Sequence, residues 1–392
     1  MTSHHILSTF AITSLAAMTL AGCTPNNPAS GFDGSIKVSS TESECKVSAT
    51  EIKAGNTVFN VTNDGSQVTE FYILAEDGLR IISEVENIGP GITRNLTVTL
   101  SEGNYKTACK PGMVGDGIRG DLTVTANPDA QEVSADEQKL REDAQTQYAA
   151  YTKDQIDQLV TATESFAEAY KSGDDDAARE QYAPARLHFE RVEPVAESFG
   201  DLDPALDARE ADLEEGQEWT GWHRIEKDLW QPTAEENDGK KYTPLTDAER
   251  AEVADKLVED TKSLQEKSRD LALTVDQIGN GAKGLLDEVA ASKVTGEEEI
   301  WSHTDLSDFQ GNIDGAKVAY DVLKPIAEKK DAELTKDLDK KFADVQQLLD
   351  QHSTDGTFVS YEELSEDQVR ELSDAIDSLS EPLSKLTGTV VS

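Results

Sequence analysis

At Asn127-Pro128-Asp129-Ala130-Gln131 the chain changes texture, and no single simple fold accommodates what lies on both sides. Before this point, short β-branched runs alternate with Gly, Asn and Asp turn signals: Ile36-Lys37-Val38, Thr57 to Thr62, Glu70 to Leu74, Leu96 to Leu100 and Gly120 to Thr125. Such a pattern predicts strands, and about 95 residues of it suit one β-sandwich. After it, long runs rich in Ala, Leu, Glu, Lys and Gln carry apolar residues at spacings of three and four, as in Ile156, Leu159, Val160, Thr163, Phe166, Ala167 and Tyr170. That is helical periodicity. Breaks expected at Ser172-Gly173-Asp174, Gly200 to Pro204, Gly239 to Pro244, Gly279-Asn280-Gly281, Gly296 and Gly356 divide it into seven or so helices. The expected architecture is multidomain: a β-sandwich over 31–126, a linker over 127–137 and an all-α helical bundle over 138–392, in which two half-bundles are possible.

Charge follows the same division. The chain holds 36 Lys and Arg against 77 Asp and Glu, a net of −41, and −36 of this falls in residues 127–392. So acidic a surface repels a nucleic-acid backbone, which excludes DNA and RNA as partners. It would also be repelled by an anionic membrane, so attachment to one needs a device other than charge.

The N-terminus offers such a device. Ile6 to Leu20 is apolar but too short to span a bilayer, and it ends in Leu20-Ala21-Gly22-Cys23. This resembles a bacterial lipobox, although the n-region Met1-Thr2-Ser3-His4-His5 lacks Lys and Arg. The expectation is a signal peptide over 1–22, lipidation at Cys23 and an extracytoplasmic, lipid-anchored chain. Of the three cysteines, Cys45 and Cys109 then remain, in a compartment where disulfides persist.

The richest stretch for chemistry is Glu218-Trp219-Thr220-Gly221-Trp222-His223-Arg224-Ile225-Glu226-Lys227-Asp228-Leu229-Trp230. Intervals of 4, 3 and 4 predict Trp219, His223, Glu226 and Trp230 on one helix face. A buried His and Glu one turn apart need partners, and together they can bind a metal. A buried His–Glu hydrogen bond is the plainer alternative. Elsewhere Glu190 and Glu193 stand one turn apart, Asp207 lies in another segment, and Gly296-Glu297-Glu298-Glu299-Ile300-Trp301-Ser302-His303-Thr304-Asp305-Leu306 adds Glu298 and further acidic and His groups. Carboxylates converging on one imidazole suit a hard or borderline cation such as iron, manganese or zinc.

Taken in order, Tyr-Ala-Pro-x-Arg-x-x-x-Glu-Arg-x-Glu-Pro from Tyr182, Ser198-Phe199-Gly200-Asp201-Leu202-Asp203, Trp-Thr-Gly-Trp-His-Arg-Ile-Glu-Lys from Trp219 and Gly-Glu-Glu-Glu-x-Trp-Ser-His-Thr-Asp-Leu from Gly296 resemble the imelysin (M75 peptidase-like) family. Within it they resemble most the iron-uptake members that carry an N-terminal cupredoxin-like domain. The resemblance implies an all-helical iron-binding domain with its His-x-x-Glu motif on His223 and Glu226. It implies Glu190 and Glu193 as further ligands; spacing makes Asp207 and Glu298 candidates, and His188, His303 and Asp305 are expected to support the ligands or to pack. It also implies an iron permease and a peroxidase-like protein as partners in uptake.

For the β region the resemblance implies a cupredoxin with altered ligands. Blue-copper sites use an early His and a late Cys, His and Met. Here Glu70 stands at the first position, and Tyr105 to Met113 supplies Cys109 and Met113 but no His. Cys45, Glu70 and Cys109 form either an altered copper or iron site or, in part, a disulfide; the two states exclude one another because a disulfide offers no thiolate. A metallopeptidase is a second functional reading. Zincins need two imidazoles, however, and Lys227 follows Glu226 where an inverted motif requires His. The third is an extracytoplasmic interaction protein whose acidity serves solubility alone.

Overall fold

Strands begin the described chain. The computed structural model describes residues 35–128, 133–213, 216–237, 239–291 and 293–392. The expected signal peptide and Cys23 lie outside these residues, as does part of the expected linker.

Nine strands form two sheets: β1 (Ile36–Ser40), β2 (Cys45–Val47), β3 (Glu51–Lys53), β4 (Gly55–Asn63), β5 (Thr69–Leu74), β6 (Ile81–Ile88), β7 (Thr93–Leu100), β8 (Gly103–Cys109) and β9 (Ile118–Thr125). One sheet runs β2-β1-β4-β7 and the other β3-β9-β8-β5-β6. Alternation along the strands turns Phe59, Val61, Leu96 and Val98 of the first sheet toward Phe71, Ile73, Val85 and Leu122 of the second. These inner faces make the core of a sandwich, as expected. Cys45 on β2 and Cys109 at the end of β8 join the sheets by a disulfide.

Eleven helices follow among the described residues. Seven have 16 residues or more: α1 (Ala135–Ser172), α2 (Asp175–Glu190), α6 (Asp247–Ser268), α7 (Val275–Ala291), α8 (Asp305–Lys330), α9 (Ala332–Gln351) and α10 (Glu366–Leu383). The short ones are α3 (Glu193–Glu197), α4 (Asp203–Asp207), α5 (Trp222–Trp230) and α11 (Leu386–Val391). Their ends carry caps, and the break expected at Gly173 is present. Ser134 caps α1 by accepting from the Glu137 N–H, Gly173 ends it at φ 78°, and Thr246 with Glu249 forms a capping box on α6. One expected break is absent. Gly279 and Gly281 lie inside α7, where a Cβ on Gly279 would stand 2.6 Å from Thr387 Oγ1 and one on Gly281 3.2 Å from Pro194. These glycines admit the close approach of Thr387 and Pro194; they do not stop the helix.

Two apolar cores divide the helices, with α1 running through both. The first gathers Phe166, Tyr182, Phe189, Trp222 and Leu257, and the second Leu286, Phe309, Tyr320, Leu338 and Leu379. Helices α2 and α8 meet where the two cores adjoin, and the buried polar groups described below collect there. Residues 35–392 form one compact unit. Helix α7 lies against β6 and β7, where Asp276 accepts from the Thr99 N–H (2.7 Å), Asn280 donates to the Thr97 carbonyl (2.8 Å) and Gln277 to that of Ile82 (2.8 Å). These hydrogen bonds join the β-sandwich directly to the helices. No helix among the described residues is long and apolar enough to cross a membrane.

Candidate metal centre

Helix α5 is set in place from both ends. Gly221 precedes it at φ 86°, where a Cβ would collide with the Leu206 and Ala205 carbonyls, so α4 and α5 approach as only glycine allows. Toward the other end, buried Asp228 accepts from Tyr170 Oη (2.8 Å), Tyr242 Oη (2.9 Å) and the Leu245 N–H (2.8 Å), and pairs with Arg250 (2.7 Å). Trp222 packs on Phe166 and Tyr182. Because the helix starts only at Trp222, Trp219 is not on its face as the spacing predicted. It stands in the approach, its ring 5.9 Å from that of Trp301 and its N–H on the Ala208 carbonyl.

His223 and Glu226 do share a face, and both are buried. The Nδ1 atom of His223 lies 3.3 Å from Glu226 Oε2, while Glu226 Oε1 accepts from the backbone N–H groups of Trp301 (3.0 Å) and Ser302 (2.7 Å). The other ring nitrogen, Nε2, stands 3.4 Å from Asp207 Oδ1 and 3.5 Å from Glu298 Oε1. Neither contact is aligned as a hydrogen bond, so Nε2 is buried without a partner of that kind. Ligand bonds of about 2.1 Å hold two ligands of one ion within about 4.2 Å of each other, a limit both separations meet. Asp207, His223 and Glu298 can thus offer one atom each to a cation, as can His223, Glu226 and Glu299.

Glu190 and Glu193 are placed differently. Glu190 Oε2 and Glu193 accept from Lys293 Nζ at 2.7 and 3.2 Å, and both accept from Asn312 Nδ2 at 3.0 Å. They meet Asp207 in a third possible donor group but are not grouped with His223. His188 lies apart, with Nδ1 2.9 Å from Gln155 Oε1. Half-buried His303 faces Glu362, and buried Asp305 accepts from the Glu299 N–H. Cys45, Glu70 and Cys109 are not brought together as ligands. Cys109 is the register partner of Phe71 in the inter-sheet core, whereas Glu70 accepts from Tyr72 Oη (2.6 Å) among other surroundings. With its sulfurs bridged, this trio offers no thiolate for copper or iron.

Three residues at the centre escaped the sequence reading. Arg186 is fully buried, pairing with Glu190 (2.5 Å), Glu299 (2.6 Å), Asp308 (3.2 Å) and Asp207. Lys293 is equally buried, and Glu299 points inward beside Glu298 while Glu297 is exposed. A signal existed for Arg186, since Tyr182, Arg186 and Glu190 recur every four residues along one face of α2.

Carboxylates outnumber cations in this interior, and proton affinities show it. Burial raises Glu193, Glu299 and Asp308 well above the usual range, with neighbouring carboxylates adding to the effect. Burial and Arg186 oppose a proton on His223, but Asp207, Glu226 and Glu298 outweigh them and lift its pKa to about 10. Burial likewise penalises the Glu298 carboxylate, yet Lys293, His223 and Arg186 hold it well below its ordinary value. The arrangement favours positive charge at the imidazole.

The centre opens on two sides. One cavity of about 870 Å³ reaches His223 and Glu298 past Trp219 and Trp301. Another of about 730 Å³ reaches Asp207, Glu193 and Glu298 from the β-domain loop holding Lys110 and Met113.

The chain matches the imelysin model of the M75 peptidases over residues 144–386. It is 36% identical over 358 residues, 91% of each chain, to the iron uptake system component EfeO of Escherichia coli O157:H7, and equally similar to that of Shigella flexneri. A crystal structure from Parabacteroides distasonis ATCC 8503, provisionally named an iron-regulated protein A precursor, superposes with a TM-score of 0.51 at 15% identity, covering 68% of this chain and 98% of its own. That likeness concerns the fold.

Proposed function

The chain belongs to the imelysin family, in its EfeO type, and from this premise we propose that it is an iron-binding component of an uptake system. Iron is its cargo. The ion is taken at His223 Nε2 between Asp207 and Glu298, with Glu226 and Glu299 on the Nδ1 side and Glu190 and Glu193 supplying charge nearby. In this reading the chain is held outside the cytoplasm by a lipid on Cys23. It captures ferrous or ferric ion and passes it to a membrane permease that works with a peroxidase-like partner.

One observation carries the metal assignment: a buried imidazole nitrogen without a hydrogen bond stands within ligand reach of two carboxylates at the end of an open cavity. The His223–Glu226 hydrogen bond accounts for Nδ1 alone; Nε2 faces Asp207 and Glu298, where a cation would take the place of its proton. Peptide hydrolysis finds no such support, since Lys227, where a second imidazole would be needed, is ion-paired with Glu210. Calorimetric titration of the full chain with ferrous and with ferric ion tests the proposal. His223→Ala is expected to weaken binding by about tenfold or more, equivalent to ~1.4 kcal/mol; unchanged affinity would refute the site.

A further inference from the structure

The cavity in front of His223 holds far more than an ion. A bound water occupies about 30 Å³ and small-molecule pockets run to several hundred, against about 870 Å³ here. Its charge is also unlike that of the surrounding domain. Within a region of net −36 its lining brings together Arg209, Arg224, Lys227, Lys240 and Lys241. Acidic residues line it too, and most are occupied: Asp212 and Glu298 by Arg209, Glu210 by Lys227, and Glu236 by the Thr233 N–H. Among the described residues, none of Arg224, Lys240 and Lys241 has a carboxylate within 4.0 Å.

A second, independent feature points the same way. Trp301 lines the cavity at 8% exposure, and its indole N–H is buried without an acceptor. The neighbouring Trp219 differs, donating to the Ala208 carbonyl at 2.7 Å. An unmet donor beside cations that lack a carboxylate partner calls for ligand oxygens. The cavity is therefore two-ended: acceptor-seeking groups and aromatic walls at the mouth, His223 and Glu298 at the base. A free polycarboxylate would set its own charge against Glu298 at the base, and a bare cation would leave the mouth unmatched.

We propose that this cavity binds a small polycarboxylate chelate of the metal, with Lys240, Lys241, Arg224 and the Trp301 N–H taking the chelator's oxygens while His223 and Glu298 face the ion. The inference rests on the iron-binding reading and adds the form in which the ion arrives. The test uses the full chain with ferric citrate, with citrate alone, with inorganic phosphate, and with weakly complexed ferrous ion. Lys240 and Lys241 are exposed, so the double variant K240Q/K241Q keeps the fold. It should bind ferric citrate about tenfold more weakly than the wild type, with ferrous-ion affinity unchanged. W301F should also lose affinity for the chelate. Equal binding of ferric citrate by wild type and double variant would overturn the inference, as would citrate alone or inorganic phosphate binding as tightly as the chelate. Failure of the underlying reading is distinct: there, His223→Ala would leave ferrous binding untouched.

Discussion

Arg186 shows how a single side chain sustains an interior that charge would otherwise open. Five carboxylates, from Glu190, Asp207, Glu298, Glu299 and Asp308, lie around one buried guanidinium, whose fork can meet several at once. Removing one partner from a buried ionic group costs more than the group's net worth, because the remaining charges stay desolvated. Arg186→Met, close in volume, should therefore lower stability by about 3–5 kcal/mol in urea unfolding of the metal-free chain. A loss under about 1 kcal/mol, the size of an exposed pair, would mean that these carboxylates are already neutral without the arginine. His223 and Glu226 were legible in the sequence because a His and a Glu stand three residues apart between Trp219 and Trp230. Lys293 and Glu299 were not. A lone lysine after a helix and the third member of a Glu run carry no periodicity to reveal which way they turn.

Elements locate the donor atoms that residues only supply. Asp207 ends α4 and His223 lies in the first turn of α5, so their separation depends on how closely those two short helices approach. Gly221 sets that approach. Substituting Ala forces a left-handed φ on a residue with a Cβ and drives that Cβ into the Leu206 carbonyl. Gly221→Ala is expected to cost about 1–3 kcal/mol in thermal or urea unfolding and to weaken iron binding. Gly173→Ala, also at positive φ but with open space around it, should cost about 1 kcal/mol and leave iron binding alone. If the two variants behave alike in the iron titration, the close approach of α4 and α5 does not govern the site. Glycine also marks the limit of legibility at this scale. Gly173, Gly296 and Gly356 adopt positive φ and end elements as expected, but Gly279 is helical and serves the contact with α11. Composition is the same in both cases, and only the neighbour across the interface separates them. The strand pattern and the helix periodicity were readable because each repeats over many residues.

At the scale of the molecule, acidity is an arrangement as well as a surface property. Glu84 and Glu86 on β6 are half-buried opposite Glu197, Asp203 and Glu288 of the helical part, with Glu70 beside them on β5 and Lys110 the nearby cation. Tyr72 Oη donates to Glu70 and lies 3.4 Å from Glu86. Burial first, and the mutual repulsion of these carboxylates second, push Glu84 up to about 8 and Glu86 and Glu197 well above their ordinary value. The sequence could place the charges in the two regions but not across one seam, because the seam is made by α7 docking on β6 and β7. A carboxyl whose folded pKa exceeds its unfolded one binds more protons when folded, so stability falls as pH rises between the two values. For Glu84 that window runs from its ordinary value of 4.5 to about 8. His223, raised from 6.5 to about 10, acts in the same direction where the windows overlap. Carboxylates with lowered values act only below this range. Tm of the metal-free full chain should therefore drop between about pH 5.5 and pH 8, and Glu84→Gln with Glu86→Gln should flatten the drop. A Tm that stays level or rises over that interval would show that the seam opens to water and relieves its own repulsion. The β-sandwich and the helices would then be joined mainly by the contacts of α7 with β6 and β7, namely its hydrogen bonds to Thr97, Thr99 and Ile82 and the Arg94–Asp287 ion pair.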